Sequence, residues 1–123
     1  MVAMAGTAKY LMIASMDVDP EHEATFNEVY DTEHVPSLRK VPGVGRVSRY
    51  KREELTINIG GEARKVSTPG EPAYVAVFEV ESPEVLTSAA WALAVEEGRW
   101  PSAVRPYTKN RRHVLLKLIS DTD

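Results

Sequence analysis

The chain has no cysteine in its 123 residues, so a disulfide framework, a thiolate metal site and a cysteine nucleophile are all ruled out. That absence agrees with a reducing, cytoplasmic setting. No apolar run approaches the roughly 20 residues of a membrane-crossing helix, and a membrane span is excluded. Nor is there an excess of positive charge. The formal net charge is -3 with the signs interspersed, and the one basic cluster, Lys109-Asn110-Arg111-Arg112, is short and leads into a strand-like segment. Nucleic acid is therefore not expected as a partner. A Gly-rich phosphate loop is missing too, because Gly60-Gly61 opens no helix. No nucleophile elbow supports a serine triad.

Metal-ligating patterns are equally scarce. Asp17, Asp19 and Glu21 lack the spacing of a calcium loop and read as capping and helix-dipole residues. His22 falls in a first helical turn and is expected to face solvent, while His113 begins the last strand and alternates with Leu115. Neither joins His34 and a carboxylate at metal spacing. Met1 to Thr7 has no basic start and no long apolar stretch, so residues 1–8 read as a loose lead-in rather than a signal peptide.

What remains is the make-up of a single globular domain over 1–123, with 43% hydrophobic and 27% charged residues. Tyr10 to Met16 is a strand-length apolar run. Asp19-Pro20 then opens a helix expected to run to His34, with Phe26, Val29 and Tyr30 on one inward stripe. Pro42-Gly43 turns the chain into a second strand, Val44 to Arg52. Within residues 53–72, two short strand-like segments flank Gly60-Gly61 and predict a hairpin insertion. Ala73 to Val80 is a third strand, Ser82-Pro83-Glu84 opens a second helix expected to reach Glu97 before Gly98, and Arg111 to Ile119 is the last strand. The order is βαββαβ.

One segment organises chemistry. In Tyr30-Asp31-Thr32-Glu33-His34-Val35-Pro36 the proline disfavours helical geometry at Val35, which makes His34 the expected last helical residue, with Tyr30 one turn back on the same face. An imidazole and a phenol around one pocket supply a proton acceptor and a hydrogen-bond donor. Asp31 and Glu33 could orient His34, although charged residues near a helix end are ordinarily solvated. Tyr50, Tyr74 and Trp100 are candidate walls for an aromatic ligand, and Arg49 a candidate for a ligand carboxylate. Trp91 is read as core.

Strand alternation carries a second expectation. Tyr10, Met12, Ala14 and Met16 oppose Leu11 and Ile13, while Tyr74, Ala76, Phe78 and Val80 oppose Val75 and Val77, so both sheet faces are apolar. Two helices cover one face only. A second copy of the chain is the expected cover for the other, as a homodimer.

Asp19-Pro20, the segment from Tyr30 to Pro36, and Pro42-Gly43-Val44, in this order of elements, resemble the dimeric α/β-barrel superfamily, nearest its EthD-like branch. The resemblance implies an α+β, ferredoxin-like chain with a four-stranded antiparallel sheet, both helices on one face, and a barrel formed by two chains. By resemblance, His34 and Tyr30 are the catalytic candidates; Arg49, Tyr50, Tyr74 and Trp100, read from the residues themselves, are the substrate-binding ones. The implied activity is small-molecule binding without a bound cofactor or metal. It extends to a cyclase, isomerase or monooxygenase acting by proton transfer on an enolisable or phenolic compound, with a non-catalytic binding or accessory dimer as the alternative. The second helix has no histidine to ligate haem iron, so haem is not expected.

Overall fold

The computed structural model describes residues 8–122, so the expected lead-in lies outside the described residues apart from Ala8. Strands β1 (Tyr10–Val18), β2 (Val44–Lys51), β5 (Tyr74–Val80) and β6 (Thr108–Lys117) form one sheet in the order β2-β5-β1-β6, with every neighbouring pair antiparallel. Helices α1 (Glu23–Val29) and α2 (Val35–Arg39) lie in the crossover from β1 to β2, and α3 (Ala89–Ala94) in the crossover from β5 to β6. This is the expected α+β, ferredoxin-like arrangement. Strands β3 (Leu55–Ile59) and β4 (Glu62–Val66) make a separate two-stranded sheet between β2 and β5. Their turn, Gly60-Gly61, has φ of 64° and 85°, the positive pair that a two-residue hairpin connection requires and glycine adopts freely.

Alternation along the strands divides the sheet. Met12, Ala14 and Met16 of β1 and Ala76, Phe78 and Val80 of β5 are buried beneath Phe26, Val29, Leu38, Trp100 and Val104 of the two crossovers. The opposite face is bare in the single chain. Leu11, Ile13, Val75 and Val77 are only half-buried there, and Tyr50, Val114 and Leu116 are 59%, 49% and 49% exposed. The expectation of two buried faces thus holds, within one chain, for the inward face alone.

Both expected helices are broken into shorter pieces. Pro36 does not stop the first one at His34: Val35 stays helical (φ -61°, ψ -47°) and the helix continues to Arg39. The chain accommodates the proline by widening into a π turn over Tyr30–His34, closed by the Val35 N–H donating to the Tyr30 carbonyl. Pro36 then falls in the first turn of α2, where its missing N–H is harmless, and fully buried Leu38 anchors the extra turn. In the second crossover Ser82 caps nothing. Pro83–Thr87 is a 3-10 turn, and Ser88 starts α3 by accepting a hydrogen bond from the Trp91 N–H at 3.1 Å. The link after Gly98 is also ordered, with a π turn at Trp100–Val104 and a 3-10 turn at Arg105–Tyr107.

Gly43 joins the first crossover to β2 at φ +93°, and a Cβ there would lie 2.5 Å from Val85 Cγ2. Gly43→Ala is therefore expected to destabilise the fold by about 2 kcal/mol, through left-handed strain and displacement of Val85. Urea unfolding measures this, and a loss below about 0.5 kcal/mol would contradict the assignment.

Candidate functional site

Between the inward face of the sheet and the two crossovers lies a cavity of about 300 Å³. Met12, Ala14, Met16 and Phe78 form its floor. The first crossover supplies Tyr30, His34 and Leu38, and the second supplies Leu86, Trp91, Val95 and Trp100. Arg105, Thr108, Arg111 and His113 complete the wall on the β6 side.

The two π turns set the central contact. Tyr30–His34 and Trp100–Val104 each gain one residue over a regular helical turn, and between them the His34 ring lies flat on Trp100, with centroids 3.8 Å apart and planes 6° apart. Tyr30 meets both rings edge-on, at 5.4 Å from His34 and 4.7 Å from Trp100. Glu33 ties the turns together. Its carboxylate accepts the Arg99 backbone N–H at 2.8 Å and the Arg99 Nε–H at 2.6 Å, on the residue preceding Trp100. These hydrogen bonds hold the Glu33 carboxyl below its ordinary range. Gly98 makes room for the clamp: at φ +65°, its missing Cβ would sit 2.5 Å from Glu33 Oε1.

His34 is 6% exposed, and its Nδ1 is sealed from solvent without a hydrogen-bond partner. Burial, aided by the positive field of Arg105 and opposed by Glu96, lowers its pKa to about 4. The imidazole is neutral at physiological pH. Burial also pushes the Tyr30 phenol up to about 12, against the Arg49 charge that favours ionisation, so Tyr30 keeps its proton. The cavity therefore presents an uncharged ring base beside an uncharged phenol.

The structure brings together Tyr30, His34 and Trp100 of the sequence candidates. Arg49 stands behind Tyr30, 4.3 Å over its ring, and is engaged by Asp31 at 2.9 Å and Asn27 at 2.7 Å. Tyr74 packs on Phe26 and donates its hydroxyl to Glu23. Tyr50 pairs across the sheet with Val75, on the face away from the cavity. Asp31 and Glu33 do not orient His34, since each is engaged by an arginine. His22 is not a simple solvent-facing residue: it stacks on Tyr107 at 3.6 Å. Sequence reasoning passed over Arg111 and His113 as cavity residues and placed Trp91 in the core. Alternation along the last strand, with Arg111, His113 and Leu115 on one face, was the available signal. Among the described residues no group of histidines and carboxylates could hold a metal.

The depressed His34 value links stability to pH. Between pH about 6.5 and about 4 the unfolded chain binds a proton at His34 that the folded chain refuses, so acidification favours unfolding in that window. The contribution is on the order of 3 kcal/mol at 1.36 kcal/mol per pH unit. Urea unfolding of wild type and His34→Gln from pH 4 to 7 is expected to show a shallower fall in the variant. Parallel curves would contradict a neutral His34.

No family model matches the chain, and a comparison with curated proteins finds no match. Solved structures do resemble it. An EthD (ethyl tert-butyl ether D) family protein from Bacillus halodurans superposes with a TM-score of 0.54 at 14% identity, covering 89% of this chain and 99% of that one. A mutant of MhuD carrying two manganese protoporphyrin IX molecules per active site gives 0.55 at 14% identity, covering 93% and 98%. The haem-degrader MhuD from Mycobacterium tuberculosis, with two haems in its active site, gives 0.50 at 16% identity, covering 93% and 99%. The chain thus shares with these proteins the ferredoxin-like α/β fold that the resemblance to the dimeric α/β-barrel superfamily implied.

Proposed function

We propose that this chain is an EthD-like small-molecule-binding protein whose cavity takes a compact aromatic or enolic ligand and recognises its hydroxyl through neutral His34, without a bound cofactor. The carrying observation is the neutral imidazole stacked on Trp100 in the wall of a cavity with an apolar floor. A neutral imidazole has one donor and one acceptor nitrogen, and a phenol or enol O–H serves either, so a hydroxyl ligand suits both tautomers. Stacked and edge-on aromatic walls supply area for a flat ring system. The volume of about 300 Å³ is at the lower end for ligand pockets and suits a bicyclic compound.

A porphyrin suits this cavity poorly. The macrocycle exceeds the available volume, and the second-crossover segment over the cavity presents Leu86, Trp91 and Val95 and no histidine that would hold the iron. Haem therefore plays no part in this reading. The enzymatic form of the proposal has its own support, because the rings of His34, an unprotonated base, and Tyr30, a protonated donor, meet edge-on with centroids 5.4 Å apart. In that form His34 takes a proton from the ligand's acidic O–H or C–H, and the Tyr30 hydroxyl supports the oxygen that gains charge. Cyclisation, isomerisation and oxygenation all begin with such a step.

We also infer a homodimer through the outward sheet face, where Leu11, Ile13, Val75, Val77, Val114 and Leu116 form a continuous apolar surface across three paired strands. Leaving it in water forgoes about 25 cal/mol per Å². The cysteine-free composition suits a cytoplasmic location.

Naphthalene and 2-naphthol, titrated against wild type and His34→Phe, test the ligand reading. The variant is expected to lose about tenfold affinity for 2-naphthol, one hydrogen bond's worth, and none for naphthalene. Equal naphthol affinity in both proteins, or no binding of either probe, would contradict it. Sedimentation equilibrium tests the pairing: the wild type is expected to be a dimer at micromolar concentration and Ile13→Glu a folded monomer. A monomeric wild type would refute it.

A further inference from the structure

Charge is distributed unevenly around the cavity. The protein has a net charge of -3, yet the cavity lining has two arginines and two histidines and no carboxylate. Arg105 is not available to a ligand, since Glu96 accepts from both of its terminal nitrogens, at 2.9 and 2.8 Å, and the Val95 carbonyl takes a third hydrogen bond at 3.0 Å. Arg111 is different. It forms no ion pair and no side-chain hydrogen bond among the described residues, although its neighbours in the basic cluster are engaged: Lys109 with Asp19 at 3.5 Å and Arg112 with Glu71 at 2.8 Å.

Alternation from His113 puts Arg111 in the cavity wall, and a backbone irregularity beside it turns Lys109 to the other face. Ser15 pairs with Arg112 and Asp17 with Lys109, so Met16 alone faces two residues, Asn110 and Arg111. This is a β-bulge, a device that re-aims a side chain. Asn110 carries it at φ +54°, in the left-handed region that L-residues avoid. Two hydrogen bonds hold it there, from Asn110 Nδ2 to Asp17 Oδ2 at 3.1 Å and to the Gly70 carbonyl at 2.8 Å. Both flanking residues, Lys109 and Arg112, pair with β1 residues of the outward face. Arg111 between them joins Met16 and His113 on the inward one.

We propose that Arg111 is a specificity-determining residue that binds an anionic substituent, a carboxylate, on the aromatic or enolic ligand of this cavity. The proposal rests on the ligand reading above and narrows it from a neutral hydroxy compound to a hydroxy compound or ring acid bearing one negative charge. A guanidinium offers a planar pair of N–H donors that matches a carboxylate, and no acidic group in the lining competes for it. His113, on the same face two residues on, is placed to add a further hydrogen bond.

The test uses 2-naphthoate and its neutral counterpart 2-naphthamide, with binding followed by the NMR shift of the Trp100 indole N–H, so that only cavity occupancy is read. Wild type is expected to prefer the carboxylate by about tenfold, and Arg111→Gln to reduce that preference to within twofold while its naphthamide affinity is unchanged. Arg112→Gln, an equal loss of charge on the other face of β6, is expected to keep the wild-type preference. Wild type binding both probes equally, Arg111→Gln retaining the preference, or Arg112→Gln losing it would overturn the assignment to Arg111 and leave the cavity reading intact. Failure of both probes to shift Trp100 would overturn the cavity reading itself, and this proposal with it.

Discussion

The flat contact between the His34 imidazole and the Trp100 indole is the constraint from which the rest of the site follows. Each ring comes from a different crossover, so the contact exists only if both crossovers pack on one face of the sheet with the correct phase. A regular α-helix through Tyr30–His34 would rotate His34 by about 100° per residue relative to its partner, and the extra residue of the π turn resets that phase. The same device recurs at Trp100–Val104. Glu33 and Arg99, adjacent to the two rings, join the turns, and Gly98 leaves space for the joining carboxylate. Once in place, the indole removes water from one face of the imidazole, and desolvation keeps it uncharged.

Much of this was legible in the residues themselves. The period-two runs in β1 and β5, the turn signals at Pro42-Gly43 and Gly60-Gly61, and the helix-opening prolines prescribe the order of elements without reference to any partner. His34 and Tyr30 were legible as well, but for an incomplete reason. Proline chemistry predicts a helix end at His34, whereas burial of Leu38 outweighs that local preference and a π turn absorbs the mismatch. Local propensity cannot see Leu38 reaching the core. For the same reason the ends of the second helix were misjudged: Ser82-Pro83 and Ser88 are both competent starts, and tertiary packing chooses the later one for the α segment.

Tyr50, Arg49 and Arg111 show where one-dimensional reading stops. Tyr50 and Arg49 are neighbours on β2 and therefore face opposite sides of the sheet, and only pairing to β5 reveals which side holds the cavity. Arg49 does face inward, but its charge is absorbed by Asp31 and Asn27. Arg111 sat within a cluster dismissed as too short for nucleic acid. Alternation separates it from Arg112, and the bulge at Asn110, invisible in the sequence, turns Lys109 to the other face. Charge carried by a cluster of residues thus becomes a property of one cavity wall.

The chemistry of the site depends first on the protonation state of His34 in the folded chain. Titration of the 15N-labelled imidazole by NMR reads it directly. The His34 nitrogens are expected to keep neutral-ring shifts down to about pH 5 and to titrate with a midpoint of about 4. A midpoint near the ordinary value of about 6.5 would show a hydrated ring, and would contradict the enclosed stack on Trp100 and the recognition chemistry built on it.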